Sequence, residues 1–174
     1  MGRLFLFVPV AIFIGLAGLL YRGLSLDPTQ LPSALIDREL PEFNLRKLGT
    51  EDYIVRDNIL GRATLLNVWG TWCPTCVAEH PYLMKLAAEG VPIIGLNYKD
   101  EDTKALGWLV RLGDPYSVNI TDPNGDFGLD LGVYGAPETY VIDAQGVIRY
   151  RHVGEVNQRT WSGELGQAYR ELIE

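Results

Sequence analysis

Leu65-Leu66-Asn67-Val68-Trp69-Gly70-Thr71-Trp72-Cys73-Pro74-Thr75-Cys76 runs from an apolar, strand-like stretch into two cysteines separated by two residues, and these are the only cysteines in the chain. A pair at this spacing can form a small redox disulfide, supply half of a metal site, or sit as two buried thiols. The flanks favour the first use. A β-branched and aromatic run precedes the pair, and a segment with helical periodicity follows it.

Working outward, Ala63–Trp69 is apolar nearly throughout, as a central strand covered on both faces would be. Gly70-Thr71-Trp72 forms a loop, and a helix is predicted from about Cys73 to Glu89, kinked at Pro81, which removes one backbone hydrogen bond. Beyond it the pattern predicts a strand over 91–97, then a helix over 103–112 capped by Asp102 or Thr103. A third strand is expected over 116–121, with turns and at most a short helix over 122–130. Gly132–Pro137 reads as a loop, and 139–143 and 147–152 as a hairpin around Ala144-Gln145-Gly146. One amphipathic helix over 157–173 closes the chain. On the other side of the motif, 42–48 is a candidate first strand, and 53–61 shows little periodicity. Parallel strands joined by helices, followed by an antiparallel pair, predict an α/β fold: a mixed central sheet with helices on both faces.

The amino-terminal part differs in character. Leu4–Leu20 is seventeen residues without a charge, preceded by Arg3 and followed by Tyr21 and Arg22. As a helix it would span roughly 26 Å, close to the apolar thickness of a bilayer. No small-x-small cleavage site follows at once, so an uncleaved transmembrane anchor over 1–22 is expected rather than a cleaved signal peptide. The charge bias places the amino terminus in the cytoplasm and the domain outside it, in an oxidising compartment. Residues 23–41, with Pro28, Pro32 and Pro41, read as a linker, leaving 42–174 as the globular domain.

With 22 acidic against 15 basic residues, the net charge of −7 argues against nucleic acid as a partner. Nine acidic residues against Lys104 and Arg111 fall between 100 and 143; near the cysteines they would steer a basic partner, and elsewhere they form a solvated surface that favours solubility. A metal site would need ligands beyond the two thiols. Only His80 and His152 are available as histidines, and both read better as surface or hydrogen-bonded side chains, so no metal is expected.

At the amino end of a helix, Cys73 is the predicted nucleophile, because unpaired N–H groups and the helix dipole favour its thiolate. Cys76, one turn deeper, is placed to resolve the mixed disulfide that Cys73 would form with a substrate.

Trp72-Cys73-Pro74-Thr75-Cys76, the in-helix Pro81 and the later Gly135-Ala136-Pro137 resemble the thioredoxin superfamily. More narrowly, NVWGTWCPTC, GLNYKD at 95–100 and LDLGVYGAPETYVID at 129–143, with the amino-terminal anchor, resemble the DsbE/CcmG family of cytochrome c maturation thiol:disulfide proteins. The resemblance implies a thioredoxin-like fold and a membrane-anchored periplasmic reductant of apocytochrome c, recycled by a membrane electron donor, with no cofactor besides the dithiol. It implies a cis bond at Ala136-Pro137 facing the cysteines, with Trp72, Pro74, Thr75, Ala136 and Glu138 as a rim for substrate. Thioredoxin carries an aspartate where this chain has Asn67. An amide cannot accept the proton of a resolving thiol, so that role is vacant or supplied elsewhere. The resemblance implies Glu79, since related reducing thioredoxin-like proteins carry a similarly placed glutamate, and partial burial would raise its pKa, the alternative being an exposed helix glutamate. A thiol reductase for copper-site assembly and a non-catalytic assembly chaperone are the alternative functions.

Overall fold

The computed structural model describes residues 7–24 and 35–173, which fall in two separate compact units. In the first, α1 is a helix over Val8–Leu24. It begins later than the predicted span and takes in Tyr21 and Arg22, so its uncharged stretch before Arg22 covers only residues 8–21; positions 4–6 lie outside the described residues. Among the described residues no helix is long and apolar enough to cross a membrane.

The second unit is built on a five-stranded sheet in the order β5-β4-β3-β6-β7. Its strands are β3 (Thr64–Trp69), β4 (Ile93–Tyr98), β5 (Val118–Asp122), β6 (Glu138–Ile142) and β7 (Ile148–Val153). A small antiparallel ribbon, β1 (Asn44–Arg46) with β2 (Tyr53–Val55), precedes them, and a 3-10 turn over Arg56–Ile59 fills the stretch without periodicity. β3 is buried at every position and central, parallel to β4 and antiparallel to β6. Its side chains alternate between two apolar clusters, Leu65 and Trp69 on one face and Leu66 and Val68 on the other.

The helices are α2 (Pro74–Ala88), α3 (Asp102–Leu112), α4 (Asp126–Asp130), α5 (Gln158–Ser162) and α6 (Glu164–Arg170). Residues of α2, α3 and α6 pack in the cluster that holds Leu65 and Trp69. The steps β3 to β4 and β4 to β5 move the same way across the sheet, and right-handed crossovers then put both connecting helices on one face. The other face is covered mainly by the short α4, through Phe127, and by Leu40 and Phe43. Helices therefore stand on both faces, as expected, but cover them unequally.

That coverage also moves the domain boundary. Asp37 N–H and Leu40 N–H donate to the carbonyls of Ile148 and Gly146, and Leu40 is fully buried. Residues 35–41, expected as the end of the linker, belong to the domain because the second face needs their apolar side chains. Two local expectations also change. The N-cap of α3 is Glu101, with no side-chain cap bond, because Asp102 is bonded to Arg46. The closing helix is two helices broken at Gly163, which ends α5 and begins α6; glycine's large backbone entropy makes it the cheapest place to interrupt a helix.

Candidate active site

The carboxyl ends of β3 and β4 lie side by side, with Trp69 in register with Asn97. β6 runs the other way, so it begins at this same end, Glu138 opposite Val68. Pro137, one residue before β6, is thereby brought to the loop that leaves β3. The Ala136-Pro137 bond is cis, and Pro137 is buried.

α2 starts on the far side of that loop. Pro74 occupies the first turn, where its missing N–H costs nothing, and Pro81 lies inside a helix that continues to Ala88. Cys76, Glu79, His80, Leu83 and Leu86 recur at helical spacing and form its buried face. Cys73 is the N-cap residue, and its Sγ accepts the N–H of Cys76 at 3.0 Å. This donor, with the helix dipole, stabilises negative charge on Cys73 in the reduced state. Cys73 and Cys76 are joined in a disulfide, and Cys73 Sγ lies 3.3 Å from the carbonyl oxygen of Ala136. The redox pair and the edge before the cis proline are thus in contact.

Both sulfurs are nearly covered, Cys73 2% and Cys76 1% exposed. The rim expected around them is met in part. Trp72, Pro74 and Thr75 are exposed, and the indole Nε1–H of Trp72 donates to the Tyr98 carbonyl at 3.0 Å, which fixes the ring plane. Ala136 is half-buried. Glu138 is corrected: it is 1% exposed and does not stand on the rim. Its Oε2 takes Nε and Nη2 of Arg151 at 2.9 and 2.8 Å, and its Oε1 accepts the N–H groups of Tyr134 and Gly135. Arg151 in turn donates to the Gly132 carbonyl and stacks on Tyr134. Glu138 acts from below, pinning the loop that presents Ala136.

Glu79 is also 1% exposed and lies three residues beyond Cys76 on the buried face of α2. Its Oε1 accepts Nδ2 of Asn67 at 3.0 Å, and its Oε2 accepts the N–H of Val156 at 2.9 Å. Burial pushes its pKa up to about 7, against the pull of those two donors and with a smaller push from Glu155. Asn67 is held in turn by the Tyr116 hydroxyl, which donates to its Oδ1, while its Nδ2 also reaches Thr139 Oγ1. That donation orients the amide so that its N–H groups, not its oxygen, face Glu79. The Tyr116 ring fits because residue 95 is glycine: a Cβ there would lie 2.9 Å from the ring and 2.8 Å from Trp69 Nε1.

The two histidines point elsewhere. His80 packs edge-on against Trp108 and its Nε2 meets the Gly113 carbonyl, while His152 Nε2 meets the Glu155 carbonyl. Among the described residues no group of three or more His, Cys, Asp or Glu could hold a metal ion. The acidic run is likewise drawn into local structure. Asp102, Glu101, Glu138 and Asp143 bond Arg46, Lys104, Arg151 and Arg149, and Asp122 accepts the N–H groups of Gly125 and Gly128. Asp114 accepts Tyr116 N–H, and Asp100 is bonded to Thr71. Seven of the nine are thus held by bonds within the fold itself.

Sequence reasoning passed over Arg151, Tyr116 and the role of Asp100. For Asp100 a signal existed, an acidic residue closing GLNYKD at a strand end; Arg151 and Tyr116 carry none, because their importance depends on cross-strand neighbours.

Comparison with known proteins agrees with this geometry. Residues 36–169 match the Redoxin family. The chain is similar to the thiol:disulfide interchange protein DsbE of Vibrio cholerae, 51% identical over 99% of this chain and 97% of that protein. It is 48% identical to the protein of the same name from Pseudomonas aeruginosa over 100% of this chain and 97% of that one. Among solved structures, a putative DsbE from Chlorobium tepidum superposes with a TM-score of 0.68 at 21% identity, covering 78% of this chain and 96% of that one. A secreted thiol-disulfide isomerase from Corynebacterium glutamicum superposes with a TM-score of 0.66 at 26% identity, over 78% and 86% of the two chains. A redox disulfide at a helix start, a cis proline against it and near-complete relatives of one kind lead to one assignment: the chain belongs to the DsbE family of thiol:disulfide interchange proteins and is a thiol:disulfide oxidoreductase.

Proposed function

We propose that the protein is a membrane-tethered periplasmic reductant of apocytochrome c during cytochrome c maturation. The observation that carries this reading is the contact between the Cys73–Cys76 disulfide and the carbonyl of the half-buried Ala136 beside the cis proline, a peptide edge suited to an extended, unfolded substrate. In the reduced enzyme the Cys73 thiolate attacks one sulfur of a substrate disulfide, and the other substrate sulfur leaves with the electron pair and takes up a proton. Cys76 then attacks Cys73 Sγ. Its proton passes to Glu79, the second substrate sulfur leaves with the electron pair of the broken bond and takes up a proton, and the substrate is released as a dithiol, two electrons having moved from enzyme to substrate. The disulfide form described above is the product state, which a membrane dithiol donor reduces again.

Glu79 suits the proton step because its pKa of about 7 lets it alternate between acid and base near neutral pH. Residues 1–22 are read as the tether. The exposed apolar side chains along α1, such as Phe13, Ile14, Leu19 and Leu20, support that role.

Trapping tests the reading. Cys76→Ser leaves Cys73 able to attack but removes the resolving thiol, so the full-length variant should accumulate a mixed disulfide through Cys73. The expected partner, identified by mass spectrometry, is an apocytochrome c joined through a cysteine of its CxxCH motif. A copper-protein partner would favour oxidase assembly instead, and no trapped adduct would favour a binding chaperone.

A further inference from the structure

The cysteines receive their direction from the three residues before them, and those residues are held from outside α2. Gly70-Thr71-Trp72 joins β3 to the helix, and its contacts run to the end of β4. The carboxylate of Asp100 accepts the N–H of Thr71 at 2.6 Å and its hydroxyl at 2.8 Å. The Trp72 indole donates to the Tyr98 carbonyl at 3.0 Å. Three bonds thus tie two consecutive residues to one strand end, immediately before Cys73. Lys99 adopts a positive φ of 49°, an unusual conformation for a residue with a side chain, and so turns the chain that carries Asp100 out of β4.

Asp100 has two further donors, Asn97 Nδ2 at 3.1 Å and the N–H of Glu101 at 2.8 Å. All four donors are neutral. Burial alone would raise its pKa, but these bonds outweigh it and hold the carboxyl below its ordinary value, so it is ionised at neutral pH. Of the nearby cations, Lys104 bonds Glu101 and attracts Asp100 only through space, and Lys99 lies over the Tyr98 ring. A negative charge is therefore fixed against the backbone two residues from the nucleophile. Its field opposes that of the helix end, which favours a thiolate. A less stabilised thiolate makes the dithiol the better electron donor, as a reductase requires.

We propose that Asp100 is the positioning residue of the nucleophile: it clamps Thr71 to the end of β4 and, through its charge, keeps the Cys73–Cys76 couple reducing. The proposal rests on the family assignment and is independent of which protein is the substrate.

Asp100→Asn in the full chain removes the charge and keeps the size. The Cys73 thiolate pKa, followed by absorbance near 240 nm, should fall by about half a unit to one unit. In a glutathione buffer the equilibrium should shift about threefold to tenfold toward the reduced protein. A lower melting temperature with both quantities unmoved would assign Asp100 a purely structural role and overturn the proposal. Should this variant fail to fold, Thr71→Val carries the test, since it deletes one of the two clamping bonds and leaves the charge in place. It should lower kcat/KM for a model disulfide about threefold to tenfold with the thiolate pKa unchanged, and an unchanged kcat/KM would refute the clamp.

Discussion

Glu79 and Glu138 are buried to the same degree, each 1% exposed, yet they meet opposite surroundings. Glu79 is satisfied by neutral donors only, the amide of Asn67 and the N–H of Val156. Glu138 receives a guanidinium, two backbone N–H groups and the Tyr140 hydroxyl. Burial alone therefore does not decide what a carboxyl does. Without a cation, desolvation lifts Glu79 to a pKa of about 7 and makes it a group able to exchange protons. With a cation and a full set of donors, Glu138 becomes a fixed strut under the cis-proline loop. One carboxyl is suited to moving a proton toward the cysteines, and the other to holding the surface that a substrate meets.

The largest effect should come from removing the cation. Arg151→Leu leaves the Glu138 carboxyl without its guanidinium partner in the interior, and should cost about 3–5 kcal/mol in chemical denaturation. Adding Glu138→Gln to that variant should recover part of the loss. If the double variant were no more stable than the single one, the pair would not be the strut described here.

A smaller effect follows from Glu79. Its folded pKa of about 7 lies above the unfolded value of 4.5, so between these values the folded protein retains a proton that the unfolded chain has lost. Stability is then fullest below about pH 4.5 and falls as pH rises through about 7, by about 3 kcal/mol at most. In Glu79→Gln this slope should vanish, and release of substrate from the mixed disulfide should slow at neutral pH. A pH-stability profile identical to that of the parent protein would remove Glu79 as the titrating group.

The smallest change tests how far Glu138 depends on its secondary donor. Tyr140→Phe deletes the hydroxyl that lies 3.0 Å from Glu138 Oε2, and should cost about 1 kcal/mol with little change in reduction rate. A loss as large as that of Arg151→Leu would mean that the hydroxyl, not the guanidinium, carries the loop.

The contrast between the two glutamates was only half legible in the sequence. Glu79 stood out through the family resemblance, because related reducing proteins carry a similarly placed glutamate while Asn67 cannot do the work of an acid. Glu138 was misplaced on the rim because its neighbour Pro137 faces the cysteines, and alternation along β6 says which residues share a face without saying which face is covered. Only the pairing of β6 with β7 brings Tyr140 and Arg151 to opposite positions and closes a cage around Glu138.

The sequence by itself determined the redox pair, the central strand and the order of the strands and helices that follow it, while the cis proline was implied by the family resemblance. These are local or motif-borne properties: periodicity, the strength of glycine and proline as breakers, and the spacing of two thiols on one helical turn. Tertiary structure alone decided which face residues 35–43 cover, where the closing helix breaks, what the acidic run bonds to, and which side chains stand behind Cys73 and Cys76. The physical reason is that ionisation and satisfaction of buried polar groups depend on partners distant in the chain. Asp100 reaches Thr71, Asn67 reaches Thr139, and Glu79 reaches Val156 only after the sheet has formed.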